Sequence, residues 1–189
     1  MKYFKKLVGD RIYLSPRSIE DAEIFVKWLN DFEVTDYTGR SSILMSLEDE
    51  KDYLTTRKNN SMPFVIVKLE NDEMIGTAGL EHINQINKSA TLGIMIGEKE
   101  NRGNGYGEEA INLLLDYGFN YLNLNSINLD VLEINKRGIA CYKKCGFKEM
   151  GKRRENVFVN GKYYDMVVMD ILKGEFDVRG KSYIRNKNI

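Results

Sequence analysis

Apolar side chains recur along this chain with two periods, and the changes between them mark out its elements. Residues 11–15 alternate as a short strand ended by Pro16. Behind the capping pair Ser18 and Asp21, the residues Ile19, Ala22, Ile24, Phe25, Trp28 and Leu29 return near helical spacing, which predicts an amphipathic helix over 19–30. Residues 31–46, with Gly39 and several Ser and Thr, read as a loop. Ser46 followed by Asp49 opens a second helix running to about Lys58. The acids Glu48, Asp49, Glu50 and Asp52 in its first turns read as complements to the helix dipole rather than as a site for a cation.

The period then shortens. Residues 63–69, 74–83 and 89–96 are rich in β-branched and aromatic residues and are joined by short polar turns, which predicts an antiparallel meander. Gly76 and Gly79 point to a bulge or a close backbone approach in its middle strand. Helical spacing returns over 105–121 through Ala110, Leu113, Leu114, Tyr117 and Tyr121. A strand over 126–131 follows, then a helix over 135–145 stopped by Gly146. The Asn160-Gly161 pair between the β-rich runs 147–158 and 163–172 predicts a closing hairpin. This mixture of strands and helices, without repeat or linker, predicts one α/β (α+β) domain over residues 1–172 and a tail over 173–189. The tail carries Lys173, Arg179, Lys181, Arg185 and Lys187 against Glu175 and Asp177, too small an excess to argue nucleic-acid binding.

Composition narrows the function. The chain has 189 residues, 28 basic and 28 acidic, with 42% hydrophobic residues, enough for a sizeable core and without net charge to attract a nucleic acid or an anionic membrane. Charges interrupt every apolar stretch before it could span a bilayer, and the basic opening residues lack the apolar segment of a signal peptide, so a cytoplasmic protein is expected. One His, His82, and two Cys, Cys141 and Cys145, cannot assemble a Cys/His zinc cluster or a histidine triad within one chain. No metal is expected, and the two thiols read as reduced and structural.

Candidate chemistry concentrates in Gly93-Ile-Met-Ile-Gly-Glu-Lys-Glu-Asn-Arg-Gly-Asn-Gly-Tyr-Gly107, between a strand and a long helix. Gly103, Gly105 and Gly107 let consecutive N–H groups converge ahead of the helix dipole, forming an anion cradle to which Arg102 could add a charge. A Walker loop is excluded because Glu108 and Glu109 follow Gly107 in place of Lys and Ser/Thr. A dinucleotide fingerprint is weakened by Glu108 at its third glycine, though Asp130 lies at a suitable distance for a ribose contact. An R-x-x-G-x-G loop holding the pyrophosphate of coenzyme A is the third reading, and a ligand-free glycine turn the fourth.

Arg102-Gly-Asn-Gly-Tyr-Gly107 resembles the R/Q-x-x-G-x-G/A signature of the GNAT N-acetyltransferases. Leu14-Ser-Pro-Arg-Ser-Ile-Glu-Asp-Ala22 resembles the opening of their Rim-type branch, which includes ribosomal-protein N-terminal and polyamine acetyltransferases. Asn135-Lys-Arg-Gly-Ile-Ala-Cys-Tyr-Lys-Lys-Cys-Gly-Phe147 resembles the family's N-x-x-A-x-x-x-Y-x-K-x-G-F segment, and Phe158-Val-Asn-Gly-Lys-Tyr-Tyr-Asp165 its closing hairpin. The likeness covers about residues 10–172. It implies a mixed, mostly antiparallel sheet, flanked by helices, that splays open at the coenzyme site. It further implies that backbone groups of Ile94, Met95 and Ile96 bind the pantetheine arm of acetyl-CoA. Arg102, Gly103, Asn104, Gly105, Tyr106 and Gly107 would hold the pyrophosphate, Asn135 would steady the arm, and Tyr142 would stand near the thioester sulfur.

The chemistry of amine acetylation agrees with these roles. A lysine-like amine must lose its proton before it attacks, which costs about 4.6 kcal/mol at pH 7 for a pKa near 10.4. A carboxylate, an imidazole or a water chain must accept that proton, and a phenol can protonate the departing thiolate. Tyr142 lies about two helical turns beyond Asn135 on the same face. Glu81 and His82, on the strand beside the presumed coenzyme strand, are joint candidates for the base, and alternation along a strand lets at most one face the cleft. Two departures from the family pattern stand out: Thr91 replaces an acidic residue found in many relatives, and Gly138 replaces a small Ala. The expected function is acetyl-CoA-dependent N-acetylation of a small-molecule or peptide amine, with homodimerisation compatible with the family. A catalytically silent acyl-CoA sensor and a nicotinamide-dependent oxidoreductase are the competing readings.

Overall fold

The computed structural model describes residues 2–56, 59–177, 180 and 182–184. Its strands are β1 (Leu7–Val8), β2 (Ile12–Pro16), β3 (Met62–Lys68), β4 (Met74–Asn84), β5 (Ser89–Ile96), β6 (Ser126–Leu132), β7 (Lys148–Val159) and β8 (Lys162–Leu172). They form one sheet in the order β1-β2-β3-β4-β5-β6-β8-β7, in which only β5 and β6 run parallel. The predicted meander is β3-β4-β5, and Asn160 and Gly161 both take positive φ in the two-residue turn of the closing hairpin.

Alternation along the strands divides the interior into two cores. Ile12, Leu14, Phe64 and Ile66 face one side, where α4 (Tyr106–Asn120) covers them with Ala110, Ile111, Leu113, Leu114 and Phe119. Tyr13, Val65 and Val67 face the other, against Phe25 and Trp28 of α1 (Ala22–Leu29). The predicted first helix is thus a 3-10 turn, Ile19–Asp21, followed by α1. Ser46 caps α3 (Leu47–Thr55) by accepting from the Asp49 N–H at 3.1 Å; the predicted terminus, Lys58, lies outside the described residues. The predicted loop after α1 contains a single helical turn, α2 (Phe32–Thr35), which Asp31 caps by accepting from the Glu33 N–H at 2.8 Å.

Helix α5 (Lys136–Lys144) has no fully buried residue: Ile139, Cys141 and Tyr142 pack half-buried against the core, and the helix also borders a cavity. Beyond Leu172 the chain enters α6 (Lys173–Asp177), whose Phe176 is buried against Phe119 with ring centroids 5.3 Å apart. Asp116, fully buried on α4, accepts from the N–H groups of Tyr183 at 2.7 Å and Ile184 at 3.1 Å. Of the basic residues counted in the tail, Arg179, Lys181, Arg185 and Lys187 lie outside the described residues. Among the described residues no helix is long and apolar enough to cross a membrane, and no three His, Cys, Asp or Glu side chains are grouped to hold a metal ion.

Candidate active site

Strands β5 and β6 pair only from Ser89–Ser126 to Thr91–Asn128, and at this last rung the Thr91 hydroxyl donates to Asn128 Oδ1 at 3.0 Å. Beyond it the strands part. The β6-facing edge of Leu92 to Ile96 has no strand against it, so its backbone groups are open to a ligand that lies along them. The helix that follows β5 begins at Tyr106 behind Gly103 and Gly105, whose φ values of 80° and 83° are left-handed. An L side chain is strained there, which explains the glycines, and the loop stands at the positive end of the α4 dipole.

A cavity of about 360 Å³ lies between this loop and α5, lined by Ile94, Met95, Ile96, Arg102, Gly103, Gly105, Gly107 and Asn135. A second, of about 440 Å³, lies toward α1 and α3 and is lined in part by Glu50, Tyr53, Glu81 and Asp130. Six residues border both: Tyr37, Thr38, Ile94, Met95, Asn135 and Tyr142. The Tyr142 ring packs edge-on against Phe147 at 6.0 Å, and burial, helped by the neighbouring thiols of Cys141 and Cys145, pushes its hydroxyl above the ordinary phenol range.

The side chains of the predicted loop are directed as follows. The Arg102 guanidinium is not held out for a phosphate: it donates to the carbonyl of Ile96 at 3.2 Å, to that of Glu33 at 3.1 Å and to that of Gly97, fastening the loop to β5 and α2. The Asn104 side chain donates to the Glu100 carbonyl at 2.8 Å, and Tyr106 lies beneath Arg11 at 4.9 Å; neither lines the loop cavity. Arg11, which sequence reasoning did not single out, braces the same loop from the turn just before β2. It donates to the Asn104 carbonyl at 2.8 Å and pairs with Glu109 at 3.1 Å, while Glu109 also accepts from the backbone N–H of Asp10 and Arg11. The cationic side chains that border the cavity besides Arg102 are Arg137 and Lys144, the latter paired with Glu108 at 2.7 Å.

Asn135 caps α5, its Oδ1 accepting from the Gly138 N–H at 2.9 Å. A Cβ at residue 138 would sit 2.8 Å from the Asn135 amide nitrogen, so the glycine at this position lets the Asn135 side chain fold over the helix end. Of the two base candidates, Glu81 is half-buried and borders the larger cavity, whereas His82 does not. The register of β4 and β5 shifts between Glu81 and Asn84, and His82, exposed at φ 51°, lies in that irregularity.

Glu50 was read from the sequence as a dipole complement, yet it is only 3% exposed and borders the larger cavity. Burial raises its carboxyl above the usual range, against the opposing pull of Arg17 and Arg40. The signal for this was present: Leu47, Glu50 and Leu54 fall at helical spacing on one face of α3.

Residues 11–148 match the family model described as an acetyltransferase (GNAT) domain. The chain is 30% identical over 175 residues to the uncharacterized N-acetyltransferase p20 of Bacillus licheniformis, covering 90% of this chain and 97% of that protein. It superposes with a TM-score of 0.82 and 29% identity on spermidine N-acetyltransferase from Vibrio cholerae in complex with CoA and spermine, over 88% of this chain and 98% of that one. A dodecameric form of the same Vibrio cholerae enzyme superposes with a TM-score of 0.76 and 29% identity, over 90% of this chain and 99% of that one.

Proposed function

Since the chain belongs to the GNAT acetyltransferase family and is an acetyl-CoA-dependent N-acetyltransferase, we propose that it acetylates a small-molecule or peptide amine directly, within a ternary complex, at the junction of its two cavities. In this reading the loop cavity takes the coenzyme. The parted edge of β5, from Ile94 to Ile96, offers the pantetheine arm the hydrogen bonds a neighbouring strand would make, and the N–H groups of Gly103 to Gly107 face the pyrophosphate. Arg102 and Arg11 hold that loop in shape. The larger cavity takes the amine. Glu81 draws the ammonium proton away, directly or through water, and the amine nitrogen attacks the thioester carbonyl. As the carbon–sulfur bond breaks, the leaving thiolate takes a proton from Tyr142, whose burial keeps it protonated until then, and the surplus proton of the acylated nitrogen passes through water to the phenolate and restores it.

The observation that carries this reading is that the two cavities meet at Tyr142, beside the fork of β5 and β6. The test is thiol release from acetyl-CoA against a panel of peptides, polyamines and amino sugars. One acceptor class well above background is the expected result. Acetyl-CoA binding by calorimetry with no acceptor turned over would replace catalysis with a sensor role. The dodecameric relative supports a further proposal, that this chain also assembles with copies of itself, which light scattering of the purified protein measures. A reaction that consumes acetyl-CoA suits the cytoplasm, and we place the enzyme there on that ground.

A further inference from the structure

Resting on the acetyl-transfer reading above, we propose that the acceptor is an amine that also bears an anionic group, a carboxylate or a phosphate, bound by the guanidinium groups of Arg17 and Arg40. Both arginines border the larger cavity together with buried Glu50. Arg17 is half-buried and lies over the Tyr53 ring at 5.1 Å. Neither guanidinium takes part in a hydrogen bond or ion pair among the described residues, and neither is within the 4.0 Å of an ion pair to Glu50. Both are near enough for their charge to act on the Glu50 carboxyl. Two guanidiniums and one carboxylate leave this wall with a net positive charge.

That arrangement suits an anion and repels a second ammonium group. The other carboxylates of the cavity are placed differently. Asp130 is paired with Arg153, and Glu81 stands next to Thr91 at the last rung of the fork, toward the reacting amine. The sheet register supplies the spacing. Pro16 pairs with Phe64, Phe64 with Ala78, and Ala78 with Ile94. Arg17 therefore leaves the sheet three strands away from Ile94, roughly 14 Å at about 4.8 Å per strand, less the reach of its own side chain. A dipeptide or an amino-sugar phosphate spans that interval.

The test uses the full chain, acetyl-CoA and matched acceptors: a dipeptide against its C-terminal amide, glucosamine 6-phosphate against glucosamine, and spermidine. The anionic member of at least one pair should exceed its neutral counterpart about ten-fold or more in kcat/KM, the range of a charged hydrogen bond, and should exceed spermidine. The responding pair distinguishes carboxylate from phosphate. Arg40→Gln, on an exposed loop, and Arg17→Gln should each bring that preference ratio toward one. Spermidine preferred over both anionic acceptors, or a ratio that neither substitution moves, overturns the inference and leaves the acetyl-transfer reading standing. Acetyl-CoA binding without turnover of any amine removes that reading and the inference with it.

Discussion

The Tyr142 phenol is the proton donor of the proposed reaction because burial holds its proton in place, not because its position alone is suggestive. With its affinity for that proton raised, it stays protonated through neutral and mildly alkaline pH, so an alkaline fall in rate belongs to another group. Tyr142→Phe should lower kcat by about 100-fold or more with little change in the KM for acetyl-CoA, measured where chemistry limits the rate. Glu50 obeys the same physics with the opposite cost. Its folded-state carboxyl binds a proton more tightly than the unfolded one, so its contribution to stability is fully present below the unfolded value and is lost as pH rises through the raised one. At neutral pH it is a buried charge held at a cost. Glu50→Gln should therefore raise the melting temperature at pH 7 to 8 and lose that advantage near pH 4, which thermal melts across pH will register.

At the scale of elements, the site is a strand edge and two helix starts held by their first residues. A valine at Gly105 meets the left-handed φ of 83° and sits 3.1 Å from Arg11 Nη2, so the loop must rebuild. The strain is about 1–2 kcal/mol, and acetyl-CoA affinity by calorimetry should fall at least about ten-fold as the N–H groups lose their aim. Gly138→Ala has two opposed effects. It gains about 1 kcal/mol of helix propensity and loses about 1 kcal/mol of cap, because its Cβ displaces the Asn135 amide. The melting temperature should barely move while the KM for acetyl-CoA rises several-fold. The long elements were legible in the sequence because their periodicity runs for many residues: the meander, α4, and the Asn160-Gly161 hairpin. The glycine loop and Tyr142 were legible because their spacing is local. What escaped depends on tertiary partners. Arg102 turns to carbonyls of β5 and α2, Arg11 reaches the loop from 93 residues away, and His82 leaves the cleft through a bulge that alternation cannot foresee. The single turn of α2 is too short to show a period.

For the molecule as a whole, the segment after β8 belongs to the same interior as the site's supporting helix. Phe176 fills space against Phe119, and Asp116 accepts at one oxygen from Ser182, Tyr183 and Ile184 of this segment, its other oxygen being held by Asn120 of α4. Ending the chain at Leu172 removes a buried aromatic, worth about 3 kcal/mol or more, and leaves one oxygen of a buried carboxylate without its partners. The expected result is a fall of at least about 10 °C in melting temperature, by calorimetry. The parted strands carry a mechanical consequence. Six of the seven junctions between neighbouring strands are antiparallel, but the one parallel junction, of β5 with β6, is only three rungs long. The sheet is thus two panels joined by a short seam, spanned on one face by α4. Pulled from its two ends, such a molecule first sheds the two-residue edge strand β1 and then tears along that seam. A coenzyme lying in the gap would act as the missing stitches, so the rupture force should climb with acetyl-CoA concentration.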